Sequence, residues 1–163
     1  MIIIIHGLPG SGKSFIARML SESINGIYLG SDEIRKRLLS NLQYDINERE
    51  LIYRTMSLFI EKMSPDKPVI VDGTFNRNAF RNLFTSLAEK QKQKICFIRC
   101  VCSDNLSIER IANRKDSLSD ANENVFFMIK NEWEDYEKGI NPLIINTEID
   151  ASENIKTILK FIA

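Results

Sequence analysis

The sequence predicts an α/β fold, a three-layer, doubly wound sandwich built on a parallel five-stranded sheet. Short continuous apolar runs alternate with amphipathic helical segments along the whole chain, and uninterrupted apolar strands mark a parallel sheet covered on both faces. The first run, Met1-Ile-Ile-Ile-Ile-His6, leads directly into Gly7-Leu-Pro-Gly-Ser-Gly-Lys-Ser14. That spacing, G-x-x-x-x-G-K-[ST], is the phosphate-binding loop between a strand and a helix. With 163 residues the chain is expected to be a single domain, 1–163, with a full central core.

Strands are expected at Ile2–Ile5, Ile27–Leu29, Val69–Asp72, Ile95–Val101 and Leu143–Asn146, each a short apolar run. Helices are expected near Lys13–Ser23, Asp32–Ser40, Glu48–Met63, Asn78–Lys90, Asp104–Arg114, Asn124–Glu137 and Ser152–Ile162. Ile52, Met56, Phe59 and Met63 recur at helical spacing, as do Phe80, Leu83, Phe84 and Leu87. Val125, Met128, Ile129, Trp133 and Tyr136 form another such stripe. Two polar stretches, Asn41–Asn47 and Lys115–Asn122, interrupt the alternation; the second lies within an expected helical lid at about 110–124. Right-handed crossovers bring all strand carboxyl ends, and any ligand, to one edge of the sheet.

The loop names its ligand, a nucleoside triphosphate with Mg²⁺. Gly7, Gly10 and Gly12 allow successive N–H groups to converge on one anion. The helix that opens near Lys13 adds unpaired N–H groups and its positive dipole end. Residues Gly7, Leu8, Pro9, Gly10, Ser11, Gly12, Lys13, Ser14 and Phe15 are the expected nucleotide contacts. The Lys13 ammonium is suited to the outer phosphates and the Ser14 hydroxyl to Mg²⁺. Asn113-Arg-Lys-Asp116 differs from the guanine-reading N-K-x-D motif in the place of its lysine and follows a helix, which favours ATP over GTP.

Two further clusters fall at strand ends or beside the loop. Asp32 follows the second strand and Arg35 lies one helical turn on, so a carboxylate able to accept a hydroxyl proton stands beside a guanidinium; a plain acidic helix start accounts for Asp32 equally well at this stage. Asp72 ends the third strand and is the candidate for holding Mg²⁺ with Ser14. Asn76, Arg77 and Arg81 follow it and are candidates for an acceptor cleft. Arg110 and Arg114 are spaced to share a helix face beside the lid, where closure brings arginine to developing charge.

Composition sets limits. Lys+Arg and Asp+Glu are 22 each, for no net charge, so no global field recruits nucleic acid; Arg35, Lys36, Arg37, Arg77 and Arg81 offer only a local anion-binding surface. The opening apolar run is too short to span a bilayer and no signal-peptide pattern precedes a cleavage site, so no membrane partner is expected. Cys96, Cys100 and Cys102 suggest reduced, packed thiols in a cytoplasmic protein, and a Cys-x-Cys pair alone is a poor zinc site. His6, the single histidine, is read as structural. Monomer and homodimer are equally compatible with the chain.

Together these clusters resemble the P-loop kinase group that includes the kinase domain of polynucleotide 5′-hydroxyl kinases and zeta-toxin-like kinases. The resemblance implies that the Asp-x-x-Arg pair, Asp32 and Arg35, supplies a catalytic base and an acceptor-side arginine. It implies lid roles for Arg110 and Arg114, one near the base and one near the phosphates, and relates Asp72-Gly-Thr74-Phe-Asn76 and Ser119-Asp120-Ala121 to segments of that group. The implied activity is ATP- and Mg²⁺-dependent phosphoryl transfer to a hydroxyl, with a nucleic-acid 5′ end, a nucleoside or nucleotide, or a small metabolite as acceptor. The alternative is an ATP-binding regulatory or switch module with slow hydrolysis and no acceptor, which has no need of Asp32, Arg35 or the lid arginines.

Overall fold

Strand β1 (Ile2–His6) has every side chain fully buried. Its β-branched residues stiffen an extended backbone and suit a strand covered on both faces. Ile2 and Ile4 enter one hydrophobic cluster and Ile3 and Ile5 the other, as the two-residue period of a strand requires. The structure, a computed structural model, describes residues 1–39, 45–63, 66–113 and 121–163.

β1 pairs in parallel with β3 (Val69–Gly73) and with β4 (Ile95–Val101). Outside these lie β2 (Ile27–Gly30) and β5 (Leu143–Asn146), for the order β2-β3-β1-β4-β5. The five parallel strands follow the expected runs to within a residue.

One face is covered by α1 (Lys13–Ser23) and α7 (Ala151–Ile162) through Ile16, Leu20, Ile155 and Ile158. The other is covered by α3 (Ile46–Met63) and α4 (Asn78–Lys90), where Tyr53, Phe75, Phe80 and Phe84 pack edge-on or tilted. Helix α2 (Ser31–Leu38) leaves β2 without a loop and sends Ile34 into the same cluster. α5 (Asp104–Ala112) and α6 (Glu123–Asn131) complete the carboxyl edge. No described helix is long and apolar enough to cross a membrane.

α6 falls furthest short of its expected end. The stripe through Trp133 and Tyr136 suggests a helix to Glu137, yet α6 ends at Asn131. Tertiary partners take over there. Arg49 binds Glu132 at 2.7 Å and Arg77 reaches it at 3.3 Å. The Asn76 carbonyl accepts the Glu134 N–H at 2.8 Å, and Arg81 donates to the Glu134 carbonyl at 2.7 Å and the Asp135 carbonyl at 3.3 Å. Those backbone groups would otherwise serve helix hydrogen bonds, so a better-bonded extended path replaces the last turn.

That path lays Trp133 parallel to His6, with ring centroids 6.0 Å apart. Phe75, Phe97 and Tyr136 meet the imidazole edge-on. Burial, with Arg81, Arg99 and Lys13 nearby, lowers the His6 pKa to about 3. The folded pKa is below the unfolded one, so between about pH 3 and 6.5 only the unfolded chain binds this proton. The stabilising contribution is therefore complete above 6.5 and is lost as the pH falls through that window. Urea titrations from pH 7 to pH 4 should show stability falling by up to about 1.4 kcal/mol per pH unit from this group. His6→Asn should flatten that slope; an unchanged slope means other groups set the acid sensitivity.

Candidate functional site

The carboxyl edge of the sheet carries the phosphate loop. Gly10 and Gly12 are left-handed, with φ of 78° and 77°, the region where a side chain is costly. Gly10 also packs so tightly that a Cβ would stand 2.2 Å from the Ser107 carbonyl oxygen, which ties the loop to α5. Among the described residues no side chain caps α1, so its first N–H groups are left for an anion. Lys13 curls over the loop, donating to the Leu8 carbonyl at 3.4 Å.

In front of the loop is a cavity of about 670 Å³, walled by Gly10, Gly12, Lys13, Ser14 and Phe15, by Tyr28, Asp32 and Asp72, and by Arg110 and Thr147. It thus joins the helix-start half of the loop to both expected carboxylates and to Arg110. Phe15 is 62% exposed at its wall. Leu8 and Ser11 face a second hollow of about 310 Å³ on the Trp133 side. Gly7 and Pro9 are buried supports.

Asp72 is the electrostatic centre. Burial pushes its carboxyl pKa up, while the nearby Lys13 ammonium and the Ser14 and Tyr28 hydroxyls pull it down. The Tyr28 hydroxyl donates to Asp72 Oδ2 at 2.8 Å, whereas Oδ1 is buried with no protein partner. A hydroxyl and a carboxylate oxygen side by side are the donor types that a hard divalent cation takes. Ser14 and Asp72 therefore fit Mg²⁺.

Asp32 sits in the first turn of α2 and faces the same cavity. Its Oδ1 pairs with Arg35 Nη1. Arg35 is itself only 5% exposed and places Nε 2.8 Å from Glu48 on α3. It is not on the cavity wall; it braces the carboxylate from behind. Asn76 and Arg81 are fully buried and hold the 132–137 path rather than lining a cleft. Arg77 lies against Glu132, so the five-residue basic surface expected from sequence is reduced to the exposed Lys36 and Arg37.

On the opposite wall, Arg110 donates through Nη1 to Thr147 Oγ1 and through Nη2 to the Thr147 carbonyl, both at 3.0 Å. Thr147 Oγ1 donates in turn to the Ser11 carbonyl at 2.8 Å. Arg110, the turn after β5 and the phosphate loop are therefore one hydrogen-bonded unit. Arg114 and the 114–120 stretch of the expected lid lie outside the described residues. Thr147 and Tyr28 carry no signal in the sequence, because a threonine in a turn and a tyrosine in a strand are ordinary there.

A parallel sheet in this order, a left-handed glycine loop opening α1 and a strand-end carboxylate beside it define a P-loop fold. The chain belongs to the AAA domain family, whose model matches residues 2–134. NEDD4-binding protein 2 of Homo sapiens is 31% identical over 105 residues, which is 60% of this chain and 6% of that protein; the chain thus spans a small fraction of that relative's length. A sugar kinase from Janibacter sp. HTCC2649 shares the fold with a TM-score of 0.78 at 12% identity, over 99% of this chain and 93% of that one. So does the Mycobacterium tuberculosis APS kinase CysC in complex with AMPPNP and APS, with a TM-score of 0.72 at 16% identity, over 99% and 96% of the two chains.

Gly10 combines a positive φ with a backbone oxygen that would stand 2.2 Å from any added Cβ, so Gly10→Ala should cost more than about 1 kcal/mol of stability. Chemical denaturation checks this, and a neutral substitution would mean that α5 moves away freely.

Proposed function

We propose that the chain is an ATP- and Mg²⁺-dependent phosphotransferase that moves the γ-phosphoryl group to a hydroxyl acceptor. The observation that carries this reading is the continuity of one cavity from Lys13 and Ser14 past Asp72 to Asp32. A nucleotide switch needs the first three; a carboxylate at the far end serves an acceptor. The kinase fold supports the same reading.

In this reading the loop amides and Lys13 hold the β- and γ-phosphates. Ser14 and Asp72 hold Mg²⁺, which when bound offsets charge on the outer phosphates. Asp32 orients the acceptor hydroxyl and takes its proton as the oxygen attacks the γ-phosphorus. The bond to the β–γ bridging oxygen breaks and ADP leaves. Arg35 acts on the acceptor through Asp32, whose carboxylate it fixes. Arg110, held beside the loop through Thr147, serves the phosphates, and the second lid role, in the expected lid at about 110–124, falls to Arg114. Positioning and charge stabilisation supply the rate, with no covalent intermediate. The domain is taken as 1–163. The three free cysteines fit a reducing, cytoplasmic setting.

The acceptor is a nucleic-acid 5′ end, a nucleoside or nucleotide, or a small metabolite. A labelled-ATP transfer screen over oligonucleotides, nucleosides and sugars tests the reading; ATP binding with slow hydrolysis and no labelled product would replace it with the switch alternative. An activity that falls steeply with added salt assigns the acceptor to nucleic acid. Lys13→Ala should weaken ATP binding and nearly abolish transfer. Asp32→Ala should bind ATP within about twofold of wild type yet lose at least about a hundredfold in turnover, the range set by general-base catalysis. Near-normal turnover in Asp32→Ala removes the base assignment.

A further inference from the structure

We propose that Tyr28 is the positioning residue that aims the Asp72 carboxylate at the divalent cation. The inference rests on the phosphotransferase reading and adds to it a residue from the strand on the far side of Asp72.

In the β2–β3 ladder Tyr28 pairs with Ile70, and Gly30 pairs with Asp72. To reach Asp72 the phenol must therefore run two residues along its own strand, across Gly30. Gly30 makes this path available: a Cβ there would stand 2.6 Å from the Tyr28 hydroxyl oxygen. The hydroxyl ends 2.8 Å from Asp72 Oδ2. The ring is held in place by the Arg18 guanidinium, 4.3 Å from its centroid, and Arg18 is itself paired with Glu33. The phenol is thus clamped between a glycine and a guanidinium, with one donor aimed at one oxygen.

The consequence for Asp72 is an asymmetry. Oδ2 is occupied by the phenol, while Oδ1 is buried without a hydrogen-bond partner; Ser14 and Lys13 line the same cavity and act on this carboxyl group. A carboxylate with one oxygen fixed presents the other at a set angle, which is how a hydrogen bond behind a ligand tunes metal affinity. Without the phenol the carboxylate is free to turn and share both oxygens with Ser14 and Lys13.

The test is Mn²⁺ binding to the full chain in the presence of ADP, followed by electron paramagnetic resonance, with ADP affinity in EDTA measured by calorimetry. Tyr28→Phe keeps the ring and its stack on Arg18 and removes the donor. Mn²⁺ binding should weaken about tenfold, with metal-free ADP affinity within about twofold of wild type. Gly30→Ala, which drives the phenol off Asp72 from the other side, should weaken Mn²⁺ binding in the same way and decides the matter should Tyr28→Phe fail to fold. Unchanged Mn²⁺ affinity in the folded variants overturns the proposal, as does an equal loss of metal-free ADP affinity, which would mark Tyr28 as a general support. A wild-type chain that takes up neither ADP nor Mn²⁺ overturns the nucleotide reading and this inference with it.

Discussion

A carboxylate buried at the carboxyl end of an inner strand must be met by donors, and Asp72 imposes that requirement on this fold. Burial disfavours its ionised form, and the opposing influences come from two directions: Lys13 and Ser14 at the start of α1, and Tyr28 on β2. This is possible because β3 lies between β1 and β2. The helix that follows β1 and the side chains of β2 both reach the end of β3. Strand order is thus translated directly into the chemistry of one site.

The other face of the carboxyl edge is held by charges withdrawn from water. Arg49 and Arg81 are almost wholly buried, which is costly unless their donors are used. Arg49 spans Glu132, Asn76 and the Asp45 carbonyl, while Arg81 uses Nη2 alone for Asn78 and two carbonyls of the 132–137 path and lays the rest of its guanidinium over the Tyr136 ring. These bonds link α3, α4 and the end of α6. They also press Trp133 onto His6, and the Arg99 guanidinium lies 4.3 Å from the centroid of the Trp133 ring. The carboxyl end of α6 is therefore anchored to β1 and β4.

Most of this architecture was legible in the sequence because it is set by local pattern. Unbroken apolar runs located the five strands, and the glycine spacing located the loop and the start of α1. Asp32 and Asp72 fall on one cavity because strand ends converge on one edge in a doubly wound sheet. What escaped notice depends on partners remote in the chain. The inward turn of Arg35 is set by Glu48 on a different helix, and the early end of α6 by Arg49, Asn76 and Arg81. The apolar stripe at Trp133 and Tyr136 recorded burial faithfully but not the backbone shape that achieves it. Tyr28 acts through one hydrogen bond and Thr147 through a local set of them, and neither leaves a periodic trace.

Among the described residues, the central isoleucine strand divides the interior into two packed layers with no shared side chains. α1, α7 and the turn bearing Thr147 rest on one; α2, α3 and α4, with the surroundings of Asp32, rest on the other. Substitutions in separate layers, without common contacts, are close to additive. A lineage can therefore rewrite one layer, and the chemistry it supports, while the opposite layer is inherited intact.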